Sequence, residues 1–480
     1  MKRPSRFQQF LLAMGPGAII ASLTIGTGEL IFSARAGILF GYSILWVFVA
    51  LLLAKGLMVY TLSRHLVLTG VHPIARWVDL PGPRGWLPMS LLLTASLLFP
   101  VWVGFHSGVI GTLVAQTTGC PGPIASILVL SATALLVWRG GYATLERVQL
   151  VIVAAMVSGV LVSLTLLRPD PLAMLEGALV PRWFAYPSWI HDDPNLASIA
   201  KRPIWAELGT YVGVIGGSSF DYLAYAAYLR QKGWGNASQL HQTMDEAKKD
   251  LWSVRVDLLV SFSSVMLISA AFVASGHLVL GPAHQIPNDN NMLNLQATFL
   301  TSLHPWLYPL YIAGAFLTML GTLYGTIEVA PAVFREWQTA YRPAGVGSAR
   351  RRCVAWVVTG GFAILAGRAW SNMSADPSAG WSLVDLVTPA AIVTGVLVCG
   401  VICWANVWSE YKFLPAGDRL PWWGLLGNVM AGGIFLAVGC RSLAEAKSVS
   451  DLPWLPIVLV FGIGTLGAVL FPPARQRSAT

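Results

Sequence analysis

Two short runs put a carboxylate beside glycines inside otherwise apolar stretches, an arrangement suited to holding a cation. The first, Gly26-Thr27-Gly28-Glu29, interrupts an apolar run that starts at Ala18 and resumes at Leu30. The second, Gly216-Gly217-Ser218-Ser219, leads into Phe220 and Asp221. Glycine weakens a helix by roughly 1 kcal/mol per residue, and an ion in hydrocarbon costs about 2.5–3.5 kcal/mol or more. A carboxylate at such a break therefore needs a partner or a cavity. An unwound membrane segment exposes carbonyls and half-helix ends, with which many secondary transporters hold an ion or small substrate at the bilayer midplane. Glu29 is the first candidate metal ligand and Asp221 the second. Gly26, Thr27, Gly28, Gly217 and Ser218 would add backbone or hydroxyl oxygens, with Phe220 beside them. In the plainer reading, Gly26 and Gly28 only break the helix.

A third polar feature lies further along. Thr318, Thr322 and Thr326 recur at helical spacing with Gly314, Gly321 and Gly325, making one stripe of small and hydroxyl residues. Such a stripe packs helices closely. Set against the break at Gly26, its hydroxyls would also suit a second, monovalent cation. Two basic residues complicate the charge balance. Lys55 is in mid-span: paired with Glu29 or Asp221 it would neutralise the site, and apart from them it leaves two carboxylates for a divalent ion. Arg35 is placed to snorkel at the end of its half-helix. Glu328, near the end of the threonine-bearing helix, reads as a solvated carboxylate.

The elements that must position these residues are membrane helices. Of 480 residues, 55% are hydrophobic and 11% charged, more apolar surface than one soluble core can hide. Apolar windows of spanning length fall at about 11–38, 41–66, 87–116, 122–139, 144–167, 204–230, 251–280, 305–334, 353–370, 382–408, 422–440 and 453–472, about twelve helices. The run after Lys2, Arg3 and Arg6 reads as the first span rather than a signal peptide. Alternating from a cytoplasmic N-terminus puts 22 of the 31 Lys and Arg residues inside, so an even number of spans with both termini cytoplasmic is expected. The net charge of +9 is then topology and lipid contact rather than nucleic-acid binding. The proline-rich stretch 169–203 reads as an irregular external cap. The two breaks fall in spans one and six, corresponding positions of two inverted five-helix repeats, about 11–168 and 204–410, with helices at about 422–472 appended. The whole chain, 1–480, reads as one transmembrane domain.

From Gly15 to Gly70 the chain resembles the natural resistance-associated macrophage protein (Nramp) family of divalent-metal transporters. It carries Gly15-Pro16-Gly17, Ala36-Gly37, Gly41-Tyr42, Leu45-Trp46 and the closing Arg64-His65-Leu66-Val67-Leu68-Thr69-Gly70. Leu145-Glu146 after Gly140-Gly141, and Asp257, look like further family positions. The resemblance implies an all-α, polytopic, LeuT-type fold. The family's metal-binding Asp-Pro-Gly-Asn is here Gly26-Thr27-Gly28-Glu29, and its Met-Pro-His aligns with Phe220-Asp221-Tyr222. Its span-three acids align with Phe105 and Gly108, leaving His106 between them as a substitute titrating group. Its tenth-span Gln aligns near Val387, close to Asp385. His106, Lys55 and Asp385 thus join the threonines as candidates for coupling.

The expected function is secondary transport of a metal cation. The remaining ligands are all oxygen, which suits magnesium or manganese better than a soft metal. A second reading is sodium-coupled transport of a small organic solute walled by Phe32, Phe220, Tyr222 and Tyr225; a third is a membrane sensor without transport. No HExxH, nucleophile elbow or phosphate loop appears, so neither an enzyme nor a cofactor is expected. The five cysteines show no metal-type spacing. The bacterial inner membrane is the expected location.

Overall fold

The computed structural model describes residues 17, 21, 25–139, 151, 158, 159, 162, 164–193, 196–235, 244–286, 292–301, 304–341, 349–373, 381–446 and 455–473. Regular structure among them is helical throughout. Among the described residues eight helical stretches are long and apolar enough to cross a membrane. Most of residues 11–24 of the first window (11–38) and most of the window at 144–167, with Leu145-Glu146, lie outside the described residues.

A π-helical turn, Glu29–Ser33, leads into α1, Ala34–Phe40. Gly41, at φ +58°, turns the chain, and after one 3-10 turn α2 runs Leu45–Thr69. Helix α3, Trp86–Thr118, is the central post. Around it pack α4 (Gly122–Arg139), α9 (Tyr308–Tyr341), α10 (Ala349–Asn372) and α14 (Leu455–Leu470). The sixth window splits into α6, Ile204–Val214, and α7, Ser219–Gln231. Helix α8, Met244–Ser275, packs on α1 and α2. The tenth window is α11 (Leu383–Ile392), a π turn (Val393–Leu397) and α12 (Val398–Phe413), with α13 (Trp422–Ala446) against α6 and α12.

The stretch at 169–203 is more ordered than its prolines suggest. Pro171 opens helix α5, Pro171–Leu179, and the Asp170 carboxylate accepts the Leu172 and Ala173 amides at 2.9 and 3.3 Å. Proline in a first helical turn loses no hydrogen bond and comes with its φ already set. Gly177 then passes close enough to the Tyr42 carbonyl that a Cβ there would lie 2.2 Å from its oxygen.

Backbone contact without side chains also sets the seam between α6 and the tenth window. A Cβ on Gly395 would lie 1.8 Å from the Gly213 carbonyl oxygen. Such close approach is how membrane helices gain van der Waals contact where no hydrophobic drive separates lipid from protein. Gly395→Val is expected to cost about 1–3 kcal/mol by overpacking. Size-exclusion profiles after heating check this, with Gly433→Val, whose Cβ meets no neighbour within 4 Å, as control.

Candidate functional site

The break in the sixth window is built by local rules. Helix α6 stops at Val214, and Gly216 and Gly217 take φ +84° and +97°, values open to glycine at no steric cost. The chain re-enters a helix through a capping box in which Asp221 accepts the Ser218 amide at 2.6 Å. The freed carbonyls are taken up by side chains. Lys55 Nζ donates to Val212, Ile215 and Gly217 oxygens at 2.9, 2.7 and 2.8 Å. The Tyr222 hydroxyl donates to the Gly216 carbonyl and, at 3.3 Å, to that of Gly217. Gly217, expected to offer a backbone oxygen, thus already accepts two hydrogen bonds.

In the first window a turn at Ile25–Gly26 precedes the π turn that begins with Glu29. Gly26 lies against Thr322, where a Cβ would fall 1.5 Å from the threonine Oγ1; Gly28 lies against Val214. Glu29 is fully buried. Its Oε2 accepts from the Ser33 hydroxyl and from Ser269 of α8 at 2.8 Å, while Oε1 has no hydrogen-bond partner among the described residues.

Between these breaks lies a cavity of about 40 Å³. Gly28, Gly217, Ser218, Phe220, Asp221, His106 and Thr326 line it, with Phe99 and Trp102 of α3. His106 stacks on Trp102, centroids 5.6 Å apart, and its Nδ1 has no hydrogen-bond partner among the described residues. Neither methionine nor cysteine sulfur is in this lining. It has room for an ion or a few waters.

Residues 17–360 match the natural resistance-associated macrophage protein-like family. The chain belongs to the Nramp-like family. The divalent metal cation transporter MntH of Chromohalobacter salexigens is 23% identical over 335 residues, 65% of this chain and 68% of that protein. A mutant of the Eremococcus coleocola manganese transporter superposes with a TM-score of 0.73 at 14% identity, over 98% of this chain and 94% of that one. Mhp1, a nucleobase-cation-symport-1 family transporter, matches with a TM-score of 0.50 at 12% identity, over 92% of this chain and 94% of that one. The fold is that of LeuT-type transporters, and the protein is an integral membrane protein.

Within this Nramp-like fold the other candidates fall in different places. Thr322 and Thr318 continue the buried stripe away from the cavity, each hydroxyl on the face that carries Thr326. Lys55 makes no ion pair with Glu29 or Asp221, because its three protons go to carbonyls. Asp385 stands apart: its exposed carboxylate pairs with Arg202 at 3.1 Å at the start of α11. Tyr225, considered as a substrate wall, instead donates to Asp257 at 3.0 Å, and the same carboxylate accepts the Gly17 amide at 2.8 Å. Arg35 does not snorkel and Glu328 is not solvated. Each is buried against an opposite charge, Glu207 and Arg350 respectively, at 2.5 Å. In hydrocarbon a neutralising partner offsets more than a partial return to water.

Glu207 is the residue that motif reading missed. Its carboxylate meets Arg35 of α1 at 2.5 Å, Arg202 at 2.8 Å and the Tyr211 hydroxyl at 2.6 Å. Arg202 in turn reaches Thr388 of α11 at 2.6 Å. This network ties the ends of α1, α6 and α11 together on the side that carries α5. The signal was present: a second acid, Glu207, besides Asp221 in the sixth window, and one arginine in the first, each expensive alone. Glu207→Gln is expected to cost about 3–5 kcal/mol, because it strands the buried Arg35 and leaves Arg202 with only the exposed Asp385 as its charge partner; Asp385→Asn, at the exposed edge, about 0–1 kcal/mol. Thermal unfolding of the two variants in detergent checks the ranking, and equal losses would refute it.

Proposed function

We propose that this Nramp-like protein is a secondary active transporter that carries a hard divalent cation, magnesium or manganese, through the cavity between its first and sixth windows. The observation that carries this reading is the lining: a cleft with one carboxylate, Asp221, the Ser218 and Thr326 hydroxyls, a single imidazole from His106, and no sulfur, so that oxygen donors predominate. Oxygen ligands favour hard cations. The names of the relatives, a divalent metal cation transporter and a manganese transporter, support the substrate class. Asp221 faces the ion directly. Glu29 lies just behind Gly28 and brings a second carboxylate with one free oxygen, reached when the first window shifts. At about 40 Å³ the cleft suits an ion better than the organic solute of the alternative reading, although Phe99, Trp102 and Phe220 give it aromatic walls. We place about twelve spans in two inverted repeats, with both termini cytoplasmic in a bacterial inner membrane. In that orientation the Glu207 network closes the outer side.

The test is uptake of manganese and of magnesium by proteoliposomes, with and without an inward proton gradient, beside empty liposomes. Wild-type protein is expected to take up at least one of the two ions. Asp221→Asn is expected to abolish uptake, and Glu29→Gln to lower it at least about tenfold, the loss expected when a charged contact worth roughly 1.4 kcal/mol disappears. No uptake of either ion under any gradient would overturn the cation reading, and sodium-dependent uptake of an organic solute would replace it.

A further inference from the structure

Lys55 takes no part in the proposed ion path. It is fully buried in the middle of α2, and its ammonium is held by three backbone oxygens of another span. An uncharged amine has only two protons, so three acceptors at 2.7–2.9 Å identify the charged form. The oxygens belong to the C-terminal end of half-helix α6 and to the residues just beyond it, where the helix dipole is negative. Unwound carbonyls and half-helix C-terminal ends are where transporters of this architecture coordinate a monovalent ion.

We propose that Lys55 is a tethered cation that permanently occupies a coupling-ion position at the break of the sixth window. Its Nζ stands where an ion would stand, with contacts longer than the 2.3–2.6 Å of calcium–oxygen bonds and fitting a larger monovalent ion. Two consequences follow from the geometry. The break stays folded without sodium or potassium, because the charge that its carbonyls need is covalently attached. The same oxygens are withdrawn from the substrate, so the cavity beside them must hold its cargo with side chains such as Asp221 and Ser218. The term coupling ion rests on the transport reading above; the occupancy of the carbonyl cage does not.

The experiment therefore measures no transport. Full-length wild type, Lys55→Ala and Lys55→Arg are purified in detergent, and thermal unfolding is recorded in choline, sodium and potassium chloride at equal ionic strength. In Lys55→Ala a free alkali ion is expected to enter the vacated cage, raising the midpoint by several degrees over choline and by more than any shift in wild type. Lys55→Arg, which keeps charge and donors, is expected to follow wild type. An alkali-ion shift in Lys55→Ala no larger than that of wild type would overturn the proposal. So would failure of Lys55→Ala to fold in all three salts, since the cage is required to accept a free ion. Folding in sodium or potassium but not in choline would support it.

Discussion

A helix interrupted in hydrocarbon must hide its backbone polar groups, and the rest of this structure follows from how that is done. Each unsatisfied amide or carbonyl in such surroundings costs several kcal/mol. At residues 215–217 the carbonyls are taken by one ammonium and one phenol, and the Ser218 amide by the Asp221 carboxylate. These groups come from α2 and α7, so the break is also the joint that locks the second span to both halves of the sixth. Glycine at positive φ makes the turn possible, but side-chain capture makes it affordable.

Charge is handled by the same logic. Arg35, Arg202, Glu207 and Asp385 form one cluster, Arg64 meets Glu410 at 3.0 Å, and Arg350 meets Glu328 at 2.5 Å. The first two join elements distant in the chain and the third joins the successive helices α9 and α10, so these interior charges serve as ties between helices rather than as isolated ligands. Glu29 is different. It has hydroxyl donors from Ser33 and Ser269 on one oxygen and no hydrogen-bond partner among the described residues on the other. On the proposed reading, a carboxylate left in that condition is where a cation has most to offer.

Much of the fold was legible along the chain, for a local reason. Apolar windows report bilayer thickness directly, and the window at 122–139 became Gly122–Arg139 without change. Glycines followed by an acid inside an apolar run marked the sixth-window break, and Ser218 with Asp221 three residues on is itself a helix-start signature. Proline density misled at 169–203, because Pro171 sits in the one helical turn that tolerates it. The threonine stripe showed its common face in the spacing, yet only packing determined that Thr326 reaches the cavity while Thr322 is filled by the approach of Gly26.

By itself the sequence determined the class of molecule, the helical windows and the positions of the glycine breaks, since hydropathy, helical period and backbone freedom are properties of neighbouring residues. Tertiary structure decided which charges neutralise one another and which oxygens remain for a ligand. Lys55 could have met either acid; it met three carbonyls of a segment more than 150 residues away. Arg35 found Glu207 across 172 positions. Partner choice over such separations depends on how whole helices cross, and no local pattern encodes that geometry.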